Sequence, residues 1–145
     1  MASDPQVDLI FSHFIPRYVA TGVDPNDVQR LVARIDRWAD WCRIWSEEAH
    51  RHELLGDEAS AQGRFVTAGE AYLRAAIYYH YGKHLFGEDP AQFRDAHERM
   101  LHCYLAAAPH VAPPMERFEI PFEGTVMAAY LRRPVGVARP KVAII

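Results

Sequence analysis

Cysteine is scarce in this sequence, which excludes a fold held together by disulfide bonds. The 145 residues include only two cysteines, Cys42 and Cys103, and no Cys-x-x-Cys pair. A disulfide framework needs several cysteines at suitable spacing. We therefore expect both residues to be reduced thiols in the core of a cytoplasmic protein.

Long apolar runs and an excess of positive charge are also missing. No apolar run approaches the roughly 20 residues that a membrane-spanning helix needs, and no basic region followed by an apolar one opens the chain. The formal net charge is -3 and the sequence pI is about 6.2. No basic stripe with interleaved aromatic residues is present. These features argue against nucleic acid or a membrane as a partner.

Serine is rare too, which restricts the nucleophilic chemistry that the chain can carry. The serines are Ser3, Ser12, Ser46 and Ser60. None lies in a Gly-x-Ser-x-Gly sequence, the turn that presents the nucleophile of many hydrolases. A glycine-rich phosphate loop is also missing, because Gly63 and Gly69 lie within helical patterns.

Helical periodicity fills the first two thirds of the chain. An aspartate that can cap a helix precedes a proline suited to the first helical position at Asp4-Pro5, Asp24-Pro25 and Asp89-Pro90. The pattern predicts four helices. They are a short one from Asp4 that ends near Pro16, a long one from Asp24 toward Leu54-Leu55 with a break near Gly56, one from Gly63 to Gly87, and one from Asp89 to Pro109.

After Pro114 the spacing of the apolar residues changes from the helical period to the alternation typical of a strand. Phe118, Ile120 and Phe122 alternate with other residues, Gly124 allows a turn, and a second strand follows from Thr125 to Leu131. The final Val142-Ala143-Ile144-Ile145 reads as a buried strand that lacks neighbours, so we expect the chain to be cut off within a larger fold. The order predicts a helical domain over 1–112 and the opening strands of a sheet-containing domain over 113–145.

One helix carries the strongest candidate for a ligand site. Tyr72, Tyr78, Tyr79 and His80 combine apolar area with hydrogen-bonding tips, which suits a pocket for an aromatic ketone or ester. The alternative is a helix core whose tyrosine tips reach solvent. Tyr78 and Tyr79 point about 100° apart, so they cannot both face one pocket squarely. Trp45 belongs to a ladder with Trp38 and Trp41 that is either core, a pocket wall or a dimer seam.

Histidine spacing offers two weaker candidates for a metal site. His80 and His84 share a helix face at a spacing that zinc ligands use, but no glutamate accompanies them as in His-Glu-x-x-His. His50, His52 and Glu53 form a similar local cluster. We interpret both groups as ordinary packed or surface side chains and expect no metal.

Two stretches resemble one group of α/β-hydrolases. Gly63 to His80 (GRFVTAGEAYLRAAIYYH) resembles the helical N-terminal region of that group. The tail resembles its opening hairpin and next core strand, through 119–124 (EIPFEG), 129–134 (AYLRRP) and 140–145 (PKVAII). The group includes 2,6-dihydroxypseudooxynicotine hydrolase and the fermentation-respiration switch esterase. The resemblance covers roughly residues 38–145.

This resemblance implies a serine hydrolase with a helical cap over its active site. Members cleave esters or C–C bonds next to carbonyls, need no metal or organic cofactor, and are often dimers. In these proteins the catalytic triad comes from sequence positions after the one that corresponds to Ile145. The resemblance therefore assigns no catalytic residue to this chain, and it predicts that the chain alone is inactive. It implies substrate contacts in the cap, for which the candidates are Trp45, Tyr72, Tyr78, Tyr79 and His80.

A helical binding module without catalysis is the alternative. Gly63, Ala68, Ala71, Tyr72 and Ala75-Ala76 imitate a tetratricopeptide helix, which places small residues where helices pack closely. Such arrays repeat every 34 residues or so, however, and residues 24–56 are not repeated in 63–87. A hairpin after Pro114 also has no place in an array of this kind.

Overall fold

The computed structural model describes residues 4–134 and 136, and these form a helical unit followed by one β-hairpin. The helices are α1 (Pro5–Ala20), α2 (Pro25–Val32), α3 (Trp41–Ala61), α4 (Phe65–Lys83) and α5 (Pro90–Ala107), with a 3-10 turn at Trp38–Asp40. The strands are β1 (Met115–Phe122) and β2 (Thr125–Arg132). This confirms the mainly α fold class. The strand expected at Val142–Ile145 lies outside the described residues.

The three aspartate-proline pairs begin helices as the sequence predicts. The Asp4 carboxylate accepts from the Gln6 amide at 2.9 Å, and Asp24 accepts from the Asn26 amide at 2.8 Å. Asp89 accepts from the amides of Ala91 and Gln92 at 2.9 and 3.1 Å. Each bond satisfies an amide that the first helical turn leaves without a partner.

The predicted end of α1 near Pro16 is wrong, because the helix continues through Pro16 to Ala20. Proline removes one helical hydrogen bond, but the extra turn buries Tyr18 to 1% exposure. The Tyr18 ring lies 5.3 Å from that of Trp45 and 4.4 Å from that of Tyr81. This packing offsets the lost bond. The helix ends at Ala20 and is capped by Thr21, whose hydroxyl donates to the Arg17 carbonyl.

The single long helix predicted from Asp24 is also wrong. It is divided at residues 33–40, where the Trp38 amide donates to the Asp4 carboxylate at 3.0 Å and the Asp4 amide donates to the Asp36 carbonyl at 3.1 Å. These bonds tie the segment to the beginning of α1 and so compete with helical ones. Gly56 does not break α3. The ring of Tyr72 packs against its bare Cα instead.

The core lies where α4 packs between α3 and α5. Its largest fully buried side chains include Trp41, Trp45, Tyr78 and Tyr79. Neighbouring tryptophan rings of the ladder are 5.0 to 5.8 Å apart, and Trp38 is 4% exposed, so the ladder is core. Among the described helices, none combines the length and apolar character needed to cross a bilayer.

The hairpin forms with the predicted turn and is fixed to the helical unit. Glu123 and Gly124 both have positive φ, at 47° and 79°, as two-residue hairpin loops require. The Met115 amide donates to the Ala108 carbonyl at 3.1 Å. The ring of Tyr130 in β2 meets that of Tyr104 in α5 edge-to-face, with centroids 5.0 Å apart.

We predict that Gly56→Ala lowers the free energy of unfolding by about 1–3 kcal/mol, the usual cost of overpacking a core. A Cβ at Gly56 would lie 2.6 Å from Cδ1 of Tyr72, too close for either helix to keep its position. Urea denaturation measures the change. Gly87→Ala is the control, since a Cβ there meets no atom within 4 Å. Equal stability of both variants would show that α3 and α4 do not pack this tightly.

Candidate functional site

A groove of about 500 Å³ lies between α4, α5 and β2, and we call it the α4–α5 groove. Its walls are mainly apolar, and five side chains with polar atoms add hydrogen-bonding capacity. The apolar residues are Leu73, Ala76, Ile77, Met100 and Leu101, and the polar ones are Thr21, His80, Tyr81, Tyr104 and Tyr130. This combination of a large apolar surface with a few polar groups is typical of small-molecule sites.

Helical spacing on two neighbouring helices creates the groove. Leu73, Ala76, Ile77 and His80 follow each other at steps of three, one and three residues, so they share one face of α4. Met100, Leu101 and Tyr104 do the same on α5. Because Ala76 is small, space remains between the two faces, and β2 closes one end with Tyr130.

A pair of hydroxyl groups lies at one side of the groove. Thr21 Oγ1 and Tyr81 Oη are 2.6 Å apart. The Thr21 hydroxyl also lies 2.9 and 3.0 Å from the carbonyls of Arg17 and Tyr18, to which it donates its only proton. Tyr81 is therefore the donor within the pair, and its oxygen keeps lone pairs that can accept from a ligand.

His80 is the predicted site residue that lines the groove. Its outer edge is exposed, but partial burial of the ring lowers the pKa of His80, and the neighbouring Lys83 and His84 lower it further. The imidazole is therefore uncharged at neutral pH and can act as both hydrogen-bond donor and acceptor. The ring of His84 stacks on it at 5.5 Å.

The other four predicted site residues lie within the helical unit, away from this groove. Trp45, Tyr78 and Tyr79 are fully buried. Tyr72 is 7% exposed, and its hydroxyl donates to Asp57 at 2.7 Å. Contact between these side chains and a substrate stays a prediction, since they face neighbouring helices in the described chain. The pattern that could have located the groove was the spacing of Leu73, Ala76, Ile77 and His80, opposite that of Met100, Leu101 and Tyr104.

Tyr79 belongs to a buried polar cluster that joins three helices. Its hydroxyl donates to Glu53 of α3 at 2.7 Å, and Arg99 of α5 donates to the same carboxylate oxygen at 2.6 Å. His50 Nδ1 lies 3.2 Å from that oxygen. Burial alone would raise the pKa of Glu53, but its contacts with Tyr79, His50 and Arg99 outweigh burial and hold the pKa below its ordinary value.

Tyr78 belongs to a second cluster, around Asp27 of α2. Asp27 is 4% exposed and accepts from Tyr78 at 2.5 Å and from Arg30, while His52 Nε2 lies 3.2 Å away. Glu48, which is 1% exposed, accepts from Arg30 and Arg51 at 3.2 and 3.1 Å. The two clusters are therefore built around buried carboxylates, each with several donors.

The second cluster contains the one group of the described residues that has the spacing of metal ligands. Ligand atoms of Asp27, Glu48 and His52 all lie within 4.8 Å of one another. Arg30 contacts both carboxylates and Arg51 contacts Glu48, so guanidinium groups already supply the positive charge that a cation would bring. The arrangement fits a charge-balanced cluster better than a metal site. His50 and His52 point into different clusters and share no site.

We predict that Tyr79→Phe lowers the free energy of unfolding by about 1–3 kcal/mol, the range for a buried partner left without its hydrogen bond. The change leaves the buried Glu53 with one donor fewer, while the ring stays in place. Thermal or urea denaturation measures the loss. Tyr104→Phe is the matched control, because the Tyr104 hydroxyl has no hydrogen bond within the described part of the chain. Equal effects of the two changes would contradict the role assigned to Glu53.

We predict that the protein loses stability as the pH falls below about 6.5, the ordinary pKa of histidine, and that His52→Gln reduces this loss. Burial lowers the pKa of His52, and contact with Asp27 offsets only part of that shift. The unfolded chain therefore binds a proton at this residue before the folded chain does, so acid favours unfolding.

Unfolding free energies at several pH values between about 5 and 7 test this dependence. His102→Gln, at an exposed position of α5, is the matched control and should leave the slope as in the parent protein. A slope that His52→Gln does not change would show that other groups cause the acid sensitivity.

Comparison with known proteins places the chain among hydrolases, although no family profile matches it. It is 31% identical over 122 residues to 2,6-dihydropseudooxynicotine hydrolase of Paenarthrobacter nicotinovorans, covering 83% of this chain and 32% of that protein. It is 31% identical over 121 residues to the alpha/beta hydrolase pydG of an Acremonium species, covering 81% of this chain and 28% of that protein. The chain thus spans about a third or less of these relatives.

A solved structure agrees with these relatives. The chain superposes on the crystal structure of a 2,6-dihydroxy-pseudo-oxynicotine hydrolase with a TM-score of 0.73 and 27% sequence identity. The match covers 84% of this chain and 34% of the solved one. The two chains therefore share the helical fold. Their sequence identity is also high enough to indicate a relationship beyond the fold. The chain therefore belongs to the α/β-hydrolases of the 2,6-dihydroxypseudooxynicotine hydrolase group, and it corresponds to their N-terminal part.

Proposed function

We propose that this chain forms the cap and the first strands of a serine hydrolase that cleaves esters or C–C bonds next to a carbonyl. The observation that carries the proposal is the alignment of 84% of the chain with about a third of a hydrolase of known structure. The helices would form the cap, over residues 1–112. The hairpin would begin the catalytic domain, over 113–145.

The proposed reaction is acyl transfer through a serine. The serine oxygen attacks the substrate carbonyl carbon, and backbone amides stabilise the resulting oxyanion. Collapse of this intermediate breaks the ester or C–C bond, the leaving group takes a proton from the enzyme, and water then hydrolyses the acyl-serine. The sequence has no Gly-x-Ser-x-Gly, so further residues of a longer protein would supply the nucleophile, the acid, the histidine and the oxyanion hole.

The cap would bind and orient the substrate and keep water from the reacting carbon. The α4–α5 groove supports this role, because it is formed jointly by the helical unit and by β2, which in this proposal would belong to the catalytic domain. We propose His80 as a substrate contact on its wall. Trp45, Tyr72, Tyr78 and Tyr79 stay predicted substrate contacts, although their side chains pack within the helices in the described chain.

The remaining parts of the proposal concern partners. We propose a small-molecule substrate, an aromatic ketone or ester, and a homodimer of the full-length protein in the cytoplasm. Sizing of the full-length protein in solution tests the dimer. The tetratricopeptide alternative is less well supported, because the Met115–Ala108 hydrogen bond and the Tyr104–Tyr130 contact fix a hairpin to the helices. An array of helical repeats contains no such element.

We predict that the full-length protein reacts with a fluorophosphonate probe at one serine and hydrolyses 4-nitrophenyl acetate. The 145-residue chain should do neither, because it lacks the serine turn. Intact mass and peptide mapping locate the label, and heat-denatured full-length protein is the control for non-specific labelling. A full-length protein that folds but neither reacts with the probe nor hydrolyses the ester would refute the serine mechanism.

A further inference from the structure

We infer that a second groove, between α3 and α5, binds a small zwitterion of the amino-acid type. This groove has a volume of about 330 Å³, and we call it the α3–α5 groove. Its polar and charged walls include Arg43, Glu47 and His50 of α3 and Gln92, Asp95 and Arg99 of α5. The inference does not rest on the proposed hydrolase activity, because a different surface of the molecule carries it.

The α3–α5 groove lies away from the α4–α5 groove. Among the described residues, no side chain lines both. At about 100° per residue, the positions of α5 that line the two grooves fall on nearly opposite faces of this helix. A ligand in the α3–α5 groove would therefore leave the α4–α5 groove free.

Asp95 gives the α3–α5 groove a negative charge that has no direct partner. Its carboxylate forms no hydrogen bond or ion pair within the described residues. Arg99 follows one turn later, where opposite charges often pair, but its guanidinium is directed to Glu53, at 2.6 Å. On the opposite wall, Arg43 and Glu47 pair with each other at 2.7 Å. A cationic nitrogen is thus the charge that the lining lacks.

Gln92 adds a hydrogen-bond acceptor near this carboxylate. It lies one turn before Asp95, on the same face of α5. Its amide nitrogen donates to Asp89 at 2.9 Å, but its amide oxygen is buried and has no donor within the described residues. A buried acceptor without a donor costs free energy. An ammonium group has three donors, so it can serve both Asp95 and Gln92.

Arg99 and His50 provide donors for an anionic group. Nη2 of Arg99 donates to Glu53 and to Nδ1 of His50, both at 2.6 Å, whereas its Nε and Nη1 form no hydrogen bond within the described residues. The guanidinium also lies over the ring of Tyr79 at 5.2 Å, which holds it in place. Nε2 of His50 is free in the same part of the chain, and this side chain is 44% exposed. A carboxylate can accept from both residues.

The positions of these groups define the ligand class. Residues one turn apart on a helix have Cβ atoms about 5–6 Å apart, so a small molecule can reach both Asp95 and Arg99. A simple amine would leave the free donors of Arg99 unused. A simple carboxylate would be repelled by Asp95. A molecule that carries both a cationic nitrogen and a carboxylate satisfies both ends of the groove.

Calorimetric titration of the full-length protein with three matched probes tests the inference. Leucine carries both charges, 3-methylbutylamine lacks its carboxylate, and 4-methylpentanoate lacks its amino group. We expect leucine to bind at least about tenfold more tightly than either analogue, as the loss of hydrogen bonds to a charged group predicts. Equal affinities, or no leucine binding at concentrations up to about 10 mM, would overturn the inference.

A matched pair of variants locates the bound leucine. Asp95 and Glu98 are both exposed acidic residues of α5, but only Asp95 lines the α3–α5 groove. Asp95→Asn should weaken leucine binding about tenfold or more, and Glu98→Gln should change it less than about twofold. Because Asp95 bonds to no described residue, its variant should fold as the parent does. Equal effects of the two changes would contradict the assigned site.

A charge reversal and a change in the other groove complete the test. Asp95→Lys should weaken binding of 3-methylbutylamine and strengthen that of 4-methylpentanoate, and an unchanged order would refute the role of Asp95. Leu101→Trp fills the α4–α5 groove and should leave leucine binding as it is, whereas a loss would place leucine in that groove. Leucine binding without fluorophosphonate labelling would refute the hydrolase alone. Labelling without leucine binding would refute the zwitterion site alone.

Discussion

The hydrogen bonds from Tyr78 and Tyr79 to two buried carboxylates are the interaction on which the rest of the structure depends. These neighbouring side chains leave α4 about 100° apart. One reaches Asp27 at 2.5 Å and the other reaches Glu53 at 2.7 Å. A rotation of α4 about its axis would remove the tyrosine donor from one of these buried carboxylates, which is costly. The two bonds together therefore fix the orientation of α4 about its axis. The face with Leu73, Ala76, Ile77 and His80 is thereby directed into the groove.

Glycine allows α4 to come close enough for these bonds to form. A Cβ at Gly56 would meet the Tyr72 ring, one at Gly69 would lie 2.7 Å from Cβ of His110, and one at Gly82 would lie 3.0 Å from Cβ of Trp45. The close approach thus occurs at three levels along the helix. Glycine destabilises the interior of a helix. At these positions the close packing that glycine permits offsets that cost.

Local chemistry made several features predictable from the sequence. Each aspartate-proline pair begins a helix, and the alternation after Pro114 with Gly124 gives the hairpin, because these signals act within a few residues. The end of α1 and the division between α2 and α3 depend on Tyr18 and Asp4 contacting distant residues, which no local pattern contains. The same limit applies to the site. Tyr72, Tyr78 and Tyr79 are predicted ligand contacts, and no local pattern shows that their hydroxyl groups also bond to carboxylates of other helices. Those partners are Asp57, Asp27 and Glu53.

Arg132 gives the junction between the helices and the hairpin a property of its own. Its guanidinium donates to the carbonyls of Ala112 and Pro113 at 2.6 and 3.0 Å, so the end of β2 holds the segment that leads into β1. Together with the Met115–Ala108 bond, these contacts fix the segment that connects α5 to β1. Swinging the helices away from the sheet at this point would break all three bonds at once. The junction therefore resists a change in the angle between the helices and the hairpin.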